Sequence, residues 1–155
     1  MMAQPNILTK DEVMTQGTEF TDNVCYSGLS GQELYNRPVE EGGEPISGLV
    51  YEKNRDGNIA YYAHYINGIE EGEYVEFFDN GLPVLYRQMI KGTVYGMYIS
   101  WHENKRVKII AQYRHGFKTS YKEWDKSGII IKEKVELSSF EKEMIEKYDN
   151  WSRQN

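Results

Sequence analysis

Side-chain catalysis needs a nucleophile, a proton carrier or a metal site, and this chain is sparing with all three. Its histidines are His64, His102 and His115, and its one cysteine is Cys25. The cysteine stands far upstream of every histidine, so no zinc-type spacing exists. A buried structural role suits a lone cysteine better than a nucleophilic one. No G-x-x-x-x-G-K-[ST] run occurs, and no G-x-G-x-x-G opens a helix, so no phosphate cradle is encoded. Carboxylates come in runs: Glu40 with Glu41, and Glu70, Glu71, Glu73 and Glu76 with Asp79 close behind. A carboxylate pair can serve a glycosidase, but a run of this kind more often forms a solvated face. The chemistry that remains is recognition. Glu70, Glu73, Glu76 and Asp79 can steer a basic partner, and Tyr74, Phe78, Tyr98 and Trp101 can anchor it, because aromatic rings carry much of the binding energy at protein interfaces. The reading is therefore a non-enzyme with no cofactor and no metal.

Composition supports this. The formal charge is −6 over 155 residues, which lacks the electrostatic footprint of a nucleic-acid binder and disfavours anionic lipid. With one cysteine no internal disulfide forms, which fits a reducing compartment. The start, MMAQPNILTKDE, shows no basic region followed by an apolar run, and no stretch has the ~20 apolar residues that span a bilayer. A cytoplasmic protein is expected. Tyrosine is abundant, at 13 residues, which suits pleated sheets better than helical bundles.

The elements that must carry these residues follow from glycine. Gly48, Gly72 and Gly96 form one series, Gly57 and Gly81 a second, and Gly68, Gly92 and Gly116 a third, each advancing by 24 residues. A fixed period of this length marks a repeat array, in which neighbouring units bury one another. In each unit a strand such as LVYEKN meets an Asp-Gly or Asn-Gly turn, and a second strand such as IAYYAHYI returns to an Asn-Gly or Lys-Gly turn. Pro83 belongs at a strand start, since it cannot donate to a ladder. Lys105 replaces the third glycine of the second series, and Asn104 is expected to rescue that turn by shifting its register. A fourth, degenerate unit ends in the run Ile129, Ile130, Ile131, which needs cover.

Alternation places Ile59, Tyr61, Ala63 and Tyr65 on one face, with Val107, Ile109, Ala111 and Tyr113 equivalent to them. Tyr62, His64 and Ile66 then share the other face with Tyr86, Gln88 and Ile90. Both faces carry large side chains. Either the sheet curls to make one face a tight inner layer, or the second face binds something. Tyr62, Tyr74, Tyr86, Tyr98 and Trp101 are the rings for which core and interface roles compete.

The flanks are less regular. Thr9 and Glu12 form a capping box for a short helix over Lys10 to Thr15, stopped by Gly17, the alternative being a loose arm. Residues 20–47 hold two brief strands, near Val24–Tyr26 and Leu34–Tyr35, as an imperfect first unit or a cap on the sheet edge. After Leu137 a helix starts at Ser138 or Ser139. Its stripe of Phe140, Met144, Ile145, Tyr148 and Trp151 is expected to pack on the last hairpin, the alternative being display to a partner. The chain reads as a single domain over 1–155: an N-terminal cap over 1–47, hairpin repeats over 48–137 and a C-terminal helix over 138–152.

A unit such as GEYVEFFDNGLPVLYRQMIKGTVYG resembles the bacterial variant of the MORN-type repeat. GGEPISGLVYE resembles the start of the first repeat in antitoxins of the YwqK family. The resemblance covers roughly residues 42–137. It implies a mostly β fold, an elongated, twisted antiparallel sheet of tandem hairpins capped by the terminal helix. It also implies a binding role, that of an antitoxin or immunity protein covering a cognate, basic protein toxin. The competing role is a scaffold module that mediates protein–protein assembly. The chain itself is expected to be a monomer or a weak homo-oligomer joined through edge strands.

Overall fold

The computed structural model describes residues 4–21, 23–28 and 31–155. The remaining positions, all within the 1–47 cap, lie outside the described residues. The described residues form a nine-stranded sheet and a separate two-stranded hairpin. The strands are β1 (Thr18–Glu19), β2 (Cys25–Ser27), β3 (Glu33–Tyr35), β4 (Gly48–Lys53), β5 (Ile59–Ile66), β6 (Ile69–Phe77), β7 (Pro83–Ile90), β8 (Thr93–Trp101), β9 (Val107–Arg114), β10 (Phe117–Trp124) and β11 (Ile130–Lys134). From β4 to β11 the sheet is an unbroken antiparallel meander. Only β1 departs from it, pairing parallel to β4 at the first edge.

Two kinds of turn alternate along the meander. At one end Asn67-Gly68, Lys91-Gly92 and His115-Gly116 all take positive φ, the two-residue turn whose twist matches flanking strands. At the other end five-residue loops recur over 54–58, 78–82, 102–106 and 125–129. Each is closed by its first amide bonding to its last carbonyl, as in Asn54 N to Asn58 O at 2.8 Å and His102 N to Arg106 O at 2.8 Å. The left-handed position in these loops falls on Gly57, Gly81, Lys105 and Gly128. The register shift expected at Lys105 does not occur. Lys105 itself takes φ +73, and Asn104 contributes by accepting from Arg106 N at 3.0 Å. The loops also tie to one another: Asn54 and Asn58 both donate to the Asp79 carbonyl, and Asn104 donates to the Lys126 carbonyl.

A bulge at the start of each return strand reassigns some residues between faces. Glu52 pairs with Tyr61, but Lys53 pairs with Ile59, so one extra residue sits between them. The same slip recurs where Phe77 meets Pro83, Trp101 meets Val107 and Trp124 meets Ile130. A bulge moves the following residue to the other face. Ile59 and Val107 therefore leave the row expected for them, and Ile59 packs with Tyr51 and Tyr62 instead. Pro83 opens β7 as expected.

The N-terminal segment covers the first half of the sheet on both sides. Helix α1 (Lys10–Gln16) is capped by Thr9 and Glu12 and ends at Gly17. Its Val13 packs on Leu49, Tyr51, Tyr62, Val75 and Tyr86. Glycine suits the close approach at position 17, since a Cβ would lie 2.9 Å from the Val13 carbonyl oxygen and 2.3 Å from Leu49 Cδ2. On the opposite face the β2–β3 hairpin sets Leu34 and Val24 over Val50, Ala63 and Tyr65. Beyond β7 neither cover extends, and few side chains there are fully buried.

Helix α2 (Ser139–Gln154) starts with a capping box between Ser138 and Glu141. It crosses the two-residue-turn end of the sheet and meets the last hairpin only there, at Phe117 and Lys134. The line that docks is Glu141, Ile145 and Asp149: Ile145 is buried, Glu141 meets Lys134 at 2.6 Å, and Asp149 meets His115 at 2.7 Å and Arg114 at 2.8 Å. The expected stripe is thus turned in only in part: Ile145 is buried and Tyr148 packs on His115 and Phe117, with ring centroids 5.6 and 6.4 Å apart, while Phe140 and Trp151 are left 64% and 61% exposed. Ile129, Ile130 and Ile131 stay exposed as well.

Candidate functional site

Paired residues in an antiparallel ladder share a face. Following the register across the sheet gives one continuous row: Val50, Ala63, Tyr74, Arg87, Tyr98, Ala111, Tyr121 and Lys134. Its first two members lie under the β2–β3 hairpin; from Tyr74 outward the row is partly open. The neighbouring row carries Tyr61, Glu76, Leu85, Ser100 and Ile109.

The rings on this face stand against one another. Tyr61 stacks on Tyr74 with centroids 5.9 Å apart and planes 16° apart. The Arg87 guanidinium lies 4.1 Å from the Tyr74 centroid, Tyr98 leans on Tyr113 at 5.8 Å, and Lys118 caps Tyr121 at 4.6 Å. The result is a ridge of phenols interleaved with cations. Each cation gains from the ring quadrupole beneath it. Several ring faces are already occupied by neighbours, and the Tyr74 hydroxyl bonds the Glu76 carboxylate.

Electrostatics follow from this packing. Burial raises the phenol pKa of Tyr74, Tyr98 and Tyr113. In all three, nearby Arg87 pulls the other way. Burial also raises the Glu70 carboxyl, against the pull of Arg87, whose guanidinium is 4.0 Å away. Two buried side-chain polar atoms among the described residues have no hydrogen-bond partner, Arg87 Nε and Ser100 Oγ. Both belong to this face. A depression of about 340 Å³ lies beside the ridge, lined in part by Phe78, Leu85, Tyr98, Ser100 and Lys108.

The eight residues expected to meet a partner divide between the two faces. Tyr74, Glu76 and Tyr98 stand on the ridge face, with Glu70 ion-paired to Arg87 there. Phe78 borders the depression, and Asp79 lies in the adjoining loop, its carbonyl accepting from Asn54 and Asn58. Glu73 and Trp101 lie on the α1 face. Glu73 bonds the buried Tyr86, whose phenol is pushed up to about 12 by burial and then by the Glu73 charge. Trp101 packs on the α1-side core and also lines the depression. Tyr62 and Tyr86 are core as well: Tyr62 is fully buried and its hydroxyl accepts from Leu8 N at 3.0 Å. The alternating run Glu70, Glu73, Glu76 thus does not make a single acidic patch. Arg87, Tyr113 and Lys118 were missed as site residues. The sequence marks Arg87 only as the charge that breaks an apolar column between Leu85 and Met89.

The histidines stay apart in function: His64 approaches the Glu73 carbonyl, His102 the Trp124 carbonyl and His115 the Asp149 carboxylate. Among the described residues no group of three or more His, Cys, Asp or Glu is arranged to hold a metal ion, and no helix is long and apolar enough to cross a membrane.

The fold and the ridge define a class, a tandem β-hairpin array with a tyrosine-rich surface. The chain is 35% identical over 60 residues to the immunity protein YwqK of Bacillus subtilis (strain 168), a match covering 39% of this chain and 38% of that protein. The similarity thus spans well under half of the relative's length. No protein-family model matches the chain, and no solved structure matches it.

Proposed function

We propose that this protein is a non-catalytic, cytoplasmic immunity protein or antitoxin of MORN-type hairpin repeats that neutralises a cognate protein toxin by covering it. The observation that carries the proposal is the half-open ridge of Tyr74, Arg87, Tyr98 and Tyr113, read with the similarity to an immunity protein. Tyrosines held by their neighbours lose little conformational freedom on binding, and their tips offer both apolar area and a hydrogen-bonding group. Ring faces already taken by neighbours give a nucleobase or a sugar little to stack on, which favours a protein partner. Glu70, Glu76 and Asp79 supply negative charge around the ridge for a basic partner, and Phe78 with Tyr98 supplies anchors beside the depression. Trp101 joins Phe78 and Tyr98 at the depression, while Glu73 acts through its bond to Tyr86 on the α1 side.

The test is co-expression with the neighbouring reading frame. Rescue of growth by this chain, and a stable complex of the two purified products, are expected. Tyr74→Ala and Tyr98→Ala should each weaken that complex by at least ~30-fold, the range of an interface hot spot, while circular dichroism stays unchanged. A chain that neither rescues nor holds any protein partner would overturn the proposal.

A further inference from the structure

One row of the ridge face repeats a residue type and then breaks it. In the row that runs through Tyr61, Leu85 and Ile109, strands β4, β6 and β10 contribute Glu52, Glu76 and Glu123, and β8 contributes Ser100 instead. The glutamates of the first two units are used within the array: the Tyr61 hydroxyl bonds Glu52, and the Tyr74 hydroxyl bonds Glu76. Tyr98 stands on β8 where Tyr74 stands on β6, two residues before the row, and both pair with Arg87. Its own strand offers it a serine in place of the carboxylate. Among the described residues the Tyr98 hydroxyl is in no bond of this kind.

The shorter side chain leaves a space there. Leu85, Tyr98, Ser100 and Ile109 line the depression of about 340 Å³, together with Lys108 and Lys126. Ser100 is only 7% exposed, yet its Oγ has no hydrogen-bond partner, and a buried hydroxyl left unpaired costs stability. Lys108 is the extra residue of the bulge that opens β9. Among the described residues neither Lys108 nor Lys126 is in an ion pair. Glu103 also borders the depression and is exposed. Two uncommitted cations, a phenol and an unpaired hydroxyl thus border an apolar hollow at the one position of the row that lacks a carboxylate.

We propose that the bound protein supplies the missing carboxylate: a glutamate side chain of the partner enters the depression, accepts from the Tyr98 hydroxyl, gives Ser100 the partner it lacks, and is balanced by Lys108 and Lys126. The inference rests on the reading of the ridge as a protein-binding surface, and it names the chemistry of the residue that the ridge receives. Hydrogen bonds to an ionised acceptor are the strong ones, and Leu85 and Ile109 give the methylene stem of a glutamate an apolar wall. Like charge nearby does not forbid the arrangement. Glu52 and Glu76 already stand in this row with one strand between them, and the incoming group would repeat that spacing from Glu76. A surface that is basic elsewhere can still present one such side chain to the hollow.

Titration of the purified full chain with N-acetylglutamic acid α-amide tests the site without a toxin, read by NMR at the Trp101 indole and the Leu85 and Ile109 methyl groups. Saturable shifts are expected, with a dissociation constant on the order of 1–10 mM for a ligand of this size. The matching glutamine amide, which lacks the charge, should bind at least about tenfold more weakly. Ser100→Glu copies the second unit and fills the hollow from within, and Tyr98→Phe removes only a hydroxyl. Each should weaken the glutamate probe by about tenfold or more, with circular dichroism unchanged. No saturable shift in the wild-type chain overturns the inference, as does equal binding of the glutamine probe or wild-type affinity in Tyr98→Phe. The toxin complex separates this inference from the reading beneath it. A complex held equally by the wild-type and Ser100→Glu chains overturns the inference and leaves the immunity role standing, whereas a chain that takes the probe but holds no protein partner keeps the carboxylate site and loses that role.

Discussion

Substituting Lys105 by glycine should stabilise the protein. Four loops share one shape, and their left-handed position has φ +83 at Gly57, +88 at Gly81, +73 at Lys105 and +91 at Gly128. A residue with a Cβ in that region costs roughly 1–2 kcal/mol relative to its relaxed conformation. Glycine removes that strain but gives the unfolded chain more freedom, an opposing effect of about 0.4–1 kcal/mol. The difference is a gain of about 0.5–1 kcal/mol for Lys105→Gly. The reverse change, Gly81→Ala, isolates the same quantity, because a Cβ at Gly81 meets nothing within 4 Å and only the dihedral strain is added. It should cost about 0.5–1 kcal/mol. Urea unfolding at fixed pH reads both, and each should move the thermal midpoint by roughly 2–3 °C in opposite directions for a domain of this size. If Lys105→Gly destabilises, or Gly81→Ala is neutral, the loops are not equivalent and the repeat argument fails at its turns.

Further expectations concern pH and the ridge. Lys134 first, and then the Ser138 amide, hold the Glu141 carboxyl down at about 2 from its ordinary 4.5. A depressed carboxyl contributes stability above the unfolded value and loses it as pH falls through the folded one, so α2 should undock between roughly pH 4.5 and 2, followed by the Ile145 methyl signals in NMR. Asp149, lowered chiefly by its bond to His115, acts in the same direction. At the alkaline end burial pushes the Tyr86 phenol up to about 12; a raised folded pKa gives stability that is lost as pH climbs from about 10 to 12, so the fold followed by circular dichroism should weaken over that range. A Tyr86→Phe variant whose stability falls with the same alkaline profile as the wild type would refute this. Ser100→Ala removes a buried hydroxyl that has no partner, and should raise stability by up to ~1 kcal/mol in urea unfolding, since an unpaired buried polar group is destabilising; a loss of stability would mean that the hydroxyl is satisfied.

The primary sequence settled the architecture, because turns and caps are local. Positive φ demands glycine or a tolerated substitute, so glycines 24 residues apart announced the loops, and Thr9 with Glu12 announced α1. The strands between them followed from alternation. What required the folded chain was the choice of face. A single extra residue at the start of each return strand sends Ile59 and Val107 across the sheet, and nothing in their own identity shows it. Which tyrosines become core was decided from a distance, by Val13 and Leu8 closing over Tyr62 and by Leu34 closing over Ala63. The docking of α2 likewise involves residues outside the helix, with Lys134 meeting Glu141, Arg114 and His115 meeting Asp149, and His115 and Phe117 meeting Tyr148. Local conformational preference is written in short spans of residues, whereas burial depends on which distant segment arrives to exclude water.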